Sequence, residues 1–197
     1  IVMDMAHPLG PADAVARAAA MLGPVEILVA NAGGPPPGRF LDADDEGWDI
    51  AVQQNLLGTI RLMRAALPGM RAAGWGRIVT VTSTSVREAI DGLALSNATR
   101  AGVAGAVRTL AREVAGEGIT VNNVLPGPIL TDRMRQLLSS QPDLDAAIAA
   151  RGAQNPTGRV GDPAEVGDLV AFLASARAAF ITGASVMIDG GESRVVG

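Results

Sequence analysis

The sequence predicts an α/β fold with a parallel sheet, and three observations carry that prediction. Short β-branched apolar runs alternate with helical periodicities along the whole chain. The runs are apolar at nearly every position, as strands covered on both faces are, rather than at every second one. The stretches between them are long enough to hold a helix each, which a right-handed crossover between parallel strands requires.

Ile1-Val2-Met3 before Asp4 reads as the end of a buried strand entering a polar loop. Residues Pro11–Leu22 carry Val15, Ala18, Ala19 and Leu22 at helical spacing and stop at Gly23-Pro24. Glu26–Ala30 is the next strand, and Asn31-Ala32-Gly33-Gly34 with the prolines after it continues neither element. Asp44, Asp45 and Glu46 open a long helix from about Gly47 to Ala72, with Trp48, Val52, Leu56, Met63 and Met70 on one face. Asn55 is a poor helix former in its middle, and an exposed position is the simplest expectation for it.

Arg77–Thr82 is a strand, and Ala101–Ala115 a helix with Val103, Val107, Leu110 and Val114 as core stripe. Its small side, Ala104, Gly105, Ala111 and Ala115, suits close contact with another helix. Ser96 and Arg100 stand at the entrance of that helix. Gly118–Leu125 is a strand ended by Pro126-Gly127-Pro128, and Thr131–Ala150, interrupted at Pro142, reads as two short helices or a mobile flap. Asp162-Pro163-Ala164-Glu165 has the cap, first-turn proline and acidic third residue of a helix start running to about Ala174. Ala184–Ile188 is the last strand, closed by Asp189-Gly190-Gly191.

The 197 residues suffice for one domain with a full core, and no repeat divides them. A hydrophobic fraction of 48% and a net charge of −4 without runs give no reason to expect nucleic acid or an anionic membrane as partner. No apolar run approaches the roughly 18 residues of a membrane span. The absence of cysteine removes disulfides, thiolate nucleophiles and zinc-thiolate sites, and suits a reducing cytoplasm. His7, the one histidine, precedes Pro8 in a loop with no partner nearby in sequence and reads as a surface residue. A small-molecule ligand is the better expectation.

The unusual segments fall at the carboxyl ends of the strands, where ligands of such sheets bind. They are Asp4-Met5, Asn31–Gly34, Ser83 ahead of Ser96, Asn55-Leu56-Leu57-Gly58-Thr59 and Pro126–Thr131. Gly158–Val166, Ile181-Thr182-Gly183 and Asp189-Gly190-Gly191 follow them. Together, in this order, they resemble the short-chain dehydrogenase/reductase family, in its simple form typified by 3-oxoacyl-carrier-protein reductases. The resemblance implies a Rossmann-type, doubly wound, three-layer α/β/α sheet in residues 1–197, lacking its first strands. It also implies that a longer protein supplies those strands and the glycine-rich dinucleotide turn; intact mass is the measurement that checks this.

What the resemblance implies about chemistry is an NAD- or NADP-dependent oxidoreductase acting on a small-molecule carbonyl or secondary alcohol. Asp4 and Met5 would meet the adenine, and Asn31, Ala32 and Gly33 the adenine ribose. Pro126, Gly127, Ile129 and Thr131 would line the nicotinamide. Ser83 would bond the substrate carbonyl, Asn55 would kink its helix and hold a relay water, and Arg100 would bind the nicotinamide ribose. A homotetramer or homodimer is implied through the Ala101–Ala115 helix, the long helix around Asn55 and the Ala184–Ile188 end.

The chain departs from the family at two positions, with Ser96 where a tyrosine stands and Arg100 where a lysine stands; it contains no tyrosine at all. A phenol has a pKa near 10 that a neighbouring lysine lowers, whereas a serine hydroxyl is a weaker acid and shorter. Arg100 keeps the positive charge but does not pass protons on. Two functions from different classes follow. One is an oxidoreductase in which Ser83, Ser96 and an ordered water, steadied by Arg100 and Asn55, handle the proton. The other is a nucleotide-binding subunit without turnover, partner of an active homologue. A different reaction on the same scaffold, such as dehydration, stays open. Arg87, Glu88 and Asp91, in the loop before Ser96, could supply a substitute acid or substrate clamp, and a solvated charged loop is the simpler expectation.

Overall fold

The computed structural model describes residues 1–195. Four parallel strands, β1 (Ile27–Ala30), β2 (Gly76–Val81), β3 (Ile119–Pro126) and β4 (Ser185–Ile188), form one sheet in chain order. Registers such as Leu28 opposite Ile78 and Val79 opposite Asn122 fix the alignment. The helices are α1 (Gly10–Leu22), α2 (Asp45–Ala51), α3 (Gly58–Ala73), α4 (Ala94–Val114), α5 (Asp132–Leu138), α6 (Leu144–Ala153) and α7 (Pro163–Ala174).

Because side chains alternate along a strand, each strand feeds two cores. On one face Leu28, Ala30, Ile78, Ile119 and Val121 pack against Met63, Met70, Val103 and Val107 of α3 and α4. On the other, Val79 and Val124 meet Leu173 of α7 and Ala178. Helices therefore cover both sides, giving the three-layer α/β/α arrangement. Each fully buried aliphatic side chain contributes about 1.5–3 kcal/mol before entropy is counted.

Several elements differ from the sequence-based expectation. Ile1-Val2-Met3 is irregular, with no strand beside it among the described residues to complete a ladder. β1 is an edge strand with Leu28 and Ala30 buried while Ile27 and Val29 are about half exposed, because the second helical layer reaches β2 and β3 and not β1. The strand order does not reverse among the described residues. The long helix is interrupted by a π-helical segment, Val52–Leu57, and Asn55 inside it is buried rather than exposed. An inserted residue rotates the face beyond it, so Met63 and Met70 are buried while Trp48, Val52 and Leu56 are only partly so. Helix α4 begins seven residues before the expected Ala101, so Ser96 and Arg100 lie within it, not at its entrance. Its core stripe is Val103, Val107, Ala111 and Val114; Leu110 is partly buried, and Ala111 belongs to the core rather than to the opposite side.

The start of α7 forms as expected. The Asp162 carboxylate accepts from Ala164 N–H, and Glu165 returns a bond from the Asp162 N–H while pairing with Arg159. That pairing with Arg159, then the backbone bond, holds the Glu165 carboxyl at about 2, below its ordinary 4.5. A depressed folded-state pKa contributes stability that is present above the unfolded value and lost as pH falls through the folded one. Thermal melts from pH 5 to pH 2 should therefore show less acid sensitivity in Glu165→Gln than in the parent. Asp162→Ala, which removes the cap itself, should cost about 1 kcal/mol at neutral pH.

Candidate active site

The segments that follow the strands at their carboxyl ends converge on one cleft of about 580 Å³. Ser83 comes from the end of β2, Ser96 and Arg100 from α4, Pro126–Thr131 from the end of β3, and Asp189–Ser193 from the end of β4. Ser83, Ser96, Arg100, Gly127, Ile129 and Thr131 all line it.

Arg100 is the hub of this geometry. Its Nε donates to Ser96 Oγ at 3.0 Å, one helical turn back, and its Nη1 donates to the Thr82 carbonyl at 2.5 Å. One guanidinium thus ties the helix carrying Ser96 to the strand end carrying Ser83. Thr82 is itself fixed, since its hydroxyl donates to Asn123 Oδ1 at 2.9 Å, as does that of Thr80 at 2.8 Å. Since Ser96 Oγ accepts from Arg100, its own proton is left to point elsewhere. Burial, and then the charge of Arg133, hold the Arg100 guanidinium below its ordinary pKa.

Gly127 lies against the start of the C-terminal tail, where a Cβ would stand 2.6 Å from the Asp189 Cβ. A short parallel bridge, with Leu130 N–H donating to the Gly161 carbonyl at 2.9 Å and Gly161 N–H to that of Pro128 at 2.8 Å, holds Ile129 in place. The Thr131 hydroxyl accepts from Met134 N–H and caps α5, with its proton still available.

Asn55 is 4% exposed, its Nδ2 bonds to the Gly33 carbonyl, and its Oδ1 has no protein partner. It shares with Ala32, Thr59, Thr82 and Arg100 a small cavity of about 10 Å³ behind the cleft. That is at the lower limit of the roughly 10–15 Å³ one water needs. Asp4, Met5, Asn31 and Gly33 lie off the main cleft. Asp4 Oδ1 accepts from Ala6 N–H at 2.8 Å, and the Met5 carbonyl lies against Gly58, where a Cβ would come within 2.6 Å of it. Asn31 and Gly33 are exposed.

Other residues in or beside the cleft have no site role assigned from the sequence. Arg133 reaches across to the Pro35 carbonyl at 2.9 Å. Buried Asn155 donates to the Asp189 carbonyl and to Glu192, which also pairs with Arg151, clamping the tail under α6. Their only sequence signal is proximity to Thr131 and to Gly190-Gly191; nothing local tells that these loops meet.

The fold and the cleft define a class of α/β proteins whose candidate ligand site lies across strand ends, and the comparisons narrow it. The family profile described as enoyl-(acyl carrier protein) reductase matches residues 1–193. A 3-oxoacyl-[acyl-carrier-protein] reductase of Vibrio cholerae is 41% identical over 169 residues, covering 86% of this chain and 67% of that one. Among solved structures, L-sorbose reductase of Gluconobacter frateurii, complexed with NADPH and L-sorbose, superposes with a TM-score of 0.92 at 29% identity, over 100% of this chain and 77% of that one. An NADPH-bound short-chain oxidoreductase of Pseudomonas aeruginosa, described as containing an atypical catalytic center, gives 0.90 at 32% identity, over 100% and 76%. The chain belongs to the short-chain dehydrogenase/reductase family and is similar to its 3-oxoacyl-[acyl-carrier-protein] reductases.

Proposed function

We propose that the protein is an NAD- or NADP-dependent oxidoreductase interconverting a carbonyl and a secondary alcohol, with Ser83, Ser96 and Arg100 around the reacting oxygen. The observation that carries this reading is the Arg100 guanidinium joining Ser96 Oγ to the strand end that bears Ser83. One observation supports a dinucleotide there: a Cβ at Gly33 would meet no protein atom within 4 Å, so the space beside that backbone is open. Asn31, Ala32 and Gly33 would hold its adenine ribose, with Asp4 and Met5 at the adenine. Pro126, Gly127, Ile129 and Thr131 would hold the nicotinamide, and Arg100 its ribose. When bound, the reduced cofactor supplies hydride to the carbonyl carbon and is itself oxidised.

The residues then have one task, the charge and proton at the oxygen. Ser83 and Ser96 donate hydrogen bonds to the carbonyl oxygen as it becomes an alkoxide. Arg100, fixed by two bonds, stabilises that developing charge without needing to reorganise. The proton comes from solvent through the Ser96 hydroxyl and a water held by Asn55, so the serine relays rather than acts as a strong acid. Both structural relatives bind NADPH, which supports the cofactor class, and one of them is described as containing an atypical catalytic center.

A second reading, a nucleotide-binding subunit without turnover, is favoured by one observation: Ser96 is only 8% exposed. Absorbance of NADH and NADPH followed against 3-oxoacyl thioesters, sugars and cyclic ketones separates the two. Turnover that falls by about 10²-fold in Ser83→Ala supports the enzyme. Cofactor binding without turnover, with activity appearing only in Ser96→Tyr combined with Arg100→Lys, supports the silent subunit and sinks the first reading. The family's two-fold assemblies lead to the further proposal of a dimer or tetramer, which sedimentation of monomer alone would remove.

A further inference from the structure

We propose that Arg100 and Arg133 form a two-guanidinium anion site that grips an oxyanion, phosphate or carboxylate, of a ligand in the cleft. The proposal rests on the reading of this cleft as the ligand site.

The two residues come from different elements, α4 and α5, yet flank one point. A Cβ placed on Gly34 would stand 3.5 Å from Arg100 Nη2 and 4.0 Å from Arg133 Nη2. Gly34 has no such atom, so the space between the guanidiniums is open. Each is held by neutral oxygens alone: Arg133 by the Pro35 carbonyl, and Arg100 by the Thr82 carbonyl and Ser96 Oγ.

Neither makes an ion pair among the described residues, although three carboxylates line the same cleft. Each of those is engaged elsewhere. Glu192 pairs with Arg151 and accepts from Asn155, Asp189 accepts from Gly191 and Ser193 N–H groups, and Glu88 accepts from the Ser193 hydroxyl.

Two like charges are thus brought together, Arg100 half-buried and Arg133 exposed, with no carboxylate within ion-pairing distance of either among the described residues. Burial first, and the neighbouring Arg133 second, lower the proton affinity of Arg100. An oxyanion between the two would relieve that repulsion and accept charge-assisted N–H donors from both sides. The anion has two sources here, the diphosphate of the dinucleotide or an acidic group on the substrate.

Arg133→Gln and Arg133→Lys, with Gly34→Val as a variant that fills the space between the guanidiniums while keeping both arginines, separate the sources. One arm measures equilibrium binding of NADH and NADPH by fluorescence. The other compares acetoacetate with its methyl ester, both by KM and by protection against thermal unfolding, so that it reads even if the protein has no turnover. A loss of about tenfold or more in dinucleotide affinity in Arg133→Gln and Gly34→Val, partly rescued in Arg133→Lys, assigns the site to the diphosphate. A similar loss confined to acetoacetate, with the ester unaffected, assigns it to the substrate. Changes within twofold in both arms overturn the proposal. Absence of turnover with the binding losses intact would instead count against the oxidoreductase reading alone.

Discussion

Arg100→Ala is expected to lower kcat/KM for carbonyl reduction by on the order of 10³-fold, in steady-state assays at saturating NADPH. Loss of one preorganised donor at a developing oxyanion typically costs 10²–10³, and this side chain has a second duty. Its Nη1 bond to the Thr82 carbonyl and Nε bond to Ser96 Oγ hold the two serine-bearing elements together. Arg100→Lys should fall between parent and alanine, because an ammonium keeps the charge but cannot span both acceptors in the same fixed fork. The split between kcat and KM is informative. A fall in kcat with dinucleotide affinity changed less than tenfold places the effect on the reacting oxygen. A fall wholly in affinity would contradict the assignment to that oxygen.

Met70→Ala is expected to destabilise the protein by about 2–5 kcal/mol, read as a lowered denaturant midpoint with an unchanged slope. Met70 is completely buried in the core between α3 and the sheet, and Gly76 is the residue it packs over. A Cβ on Gly76 would stand 2.7 Å from Met70 Cβ, Cγ and Sδ alike. Gly76→Ala should therefore cost about 1–3 kcal/mol by overpacking. Because one contact underlies both effects, the double variant should be less destabilised than the two single losses together, a positive coupling measured by the double-mutant cycle. Simple additivity would show that the glycine is there for some other reason.

The start of α7 was legible because everything that makes it is local. Asp162, Pro163 and Glu165 satisfy their own backbone within one turn, so their spacing is their structure. The start of α4 was not, since the capping residue, Leu93, offers no side-chain cap. That entrance is set instead by Gly92 at φ +73° and by a bridge pairing Leu93 with Gly38, more than fifty residues earlier. Leu95, Ser96 and Thr99 continue the helix because they are buried, a property of the whole molecule rather than of their neighbours.

The family motifs identified the candidate residues, since Asn31–Gly33, Ser83 and Pro126–Thr131 each sit where a strand end presents them, and Ser96 and Arg100 lie in the first two turns of α4. Their relations were not in the spacing. That Asn55 is buried in a π-helical segment with an unpaired Oδ1 depends on Gly33 passing beside it. That Arg133 belongs to the cleft depends on α5 folding back over Pro35.

The sequence alone determined the alternation of strands and helices, the family, and the replacement of tyrosine and lysine by Ser96 and Arg100. These are written in residue identity and short-range periodicity. Only the tertiary structure decided that Arg100 ties Ser96 to the Ser83 strand end, and that a second arginine faces it across Gly34. Such contacts join segments remote in the chain, and their geometry is set by how the core packs rather than by any local preference.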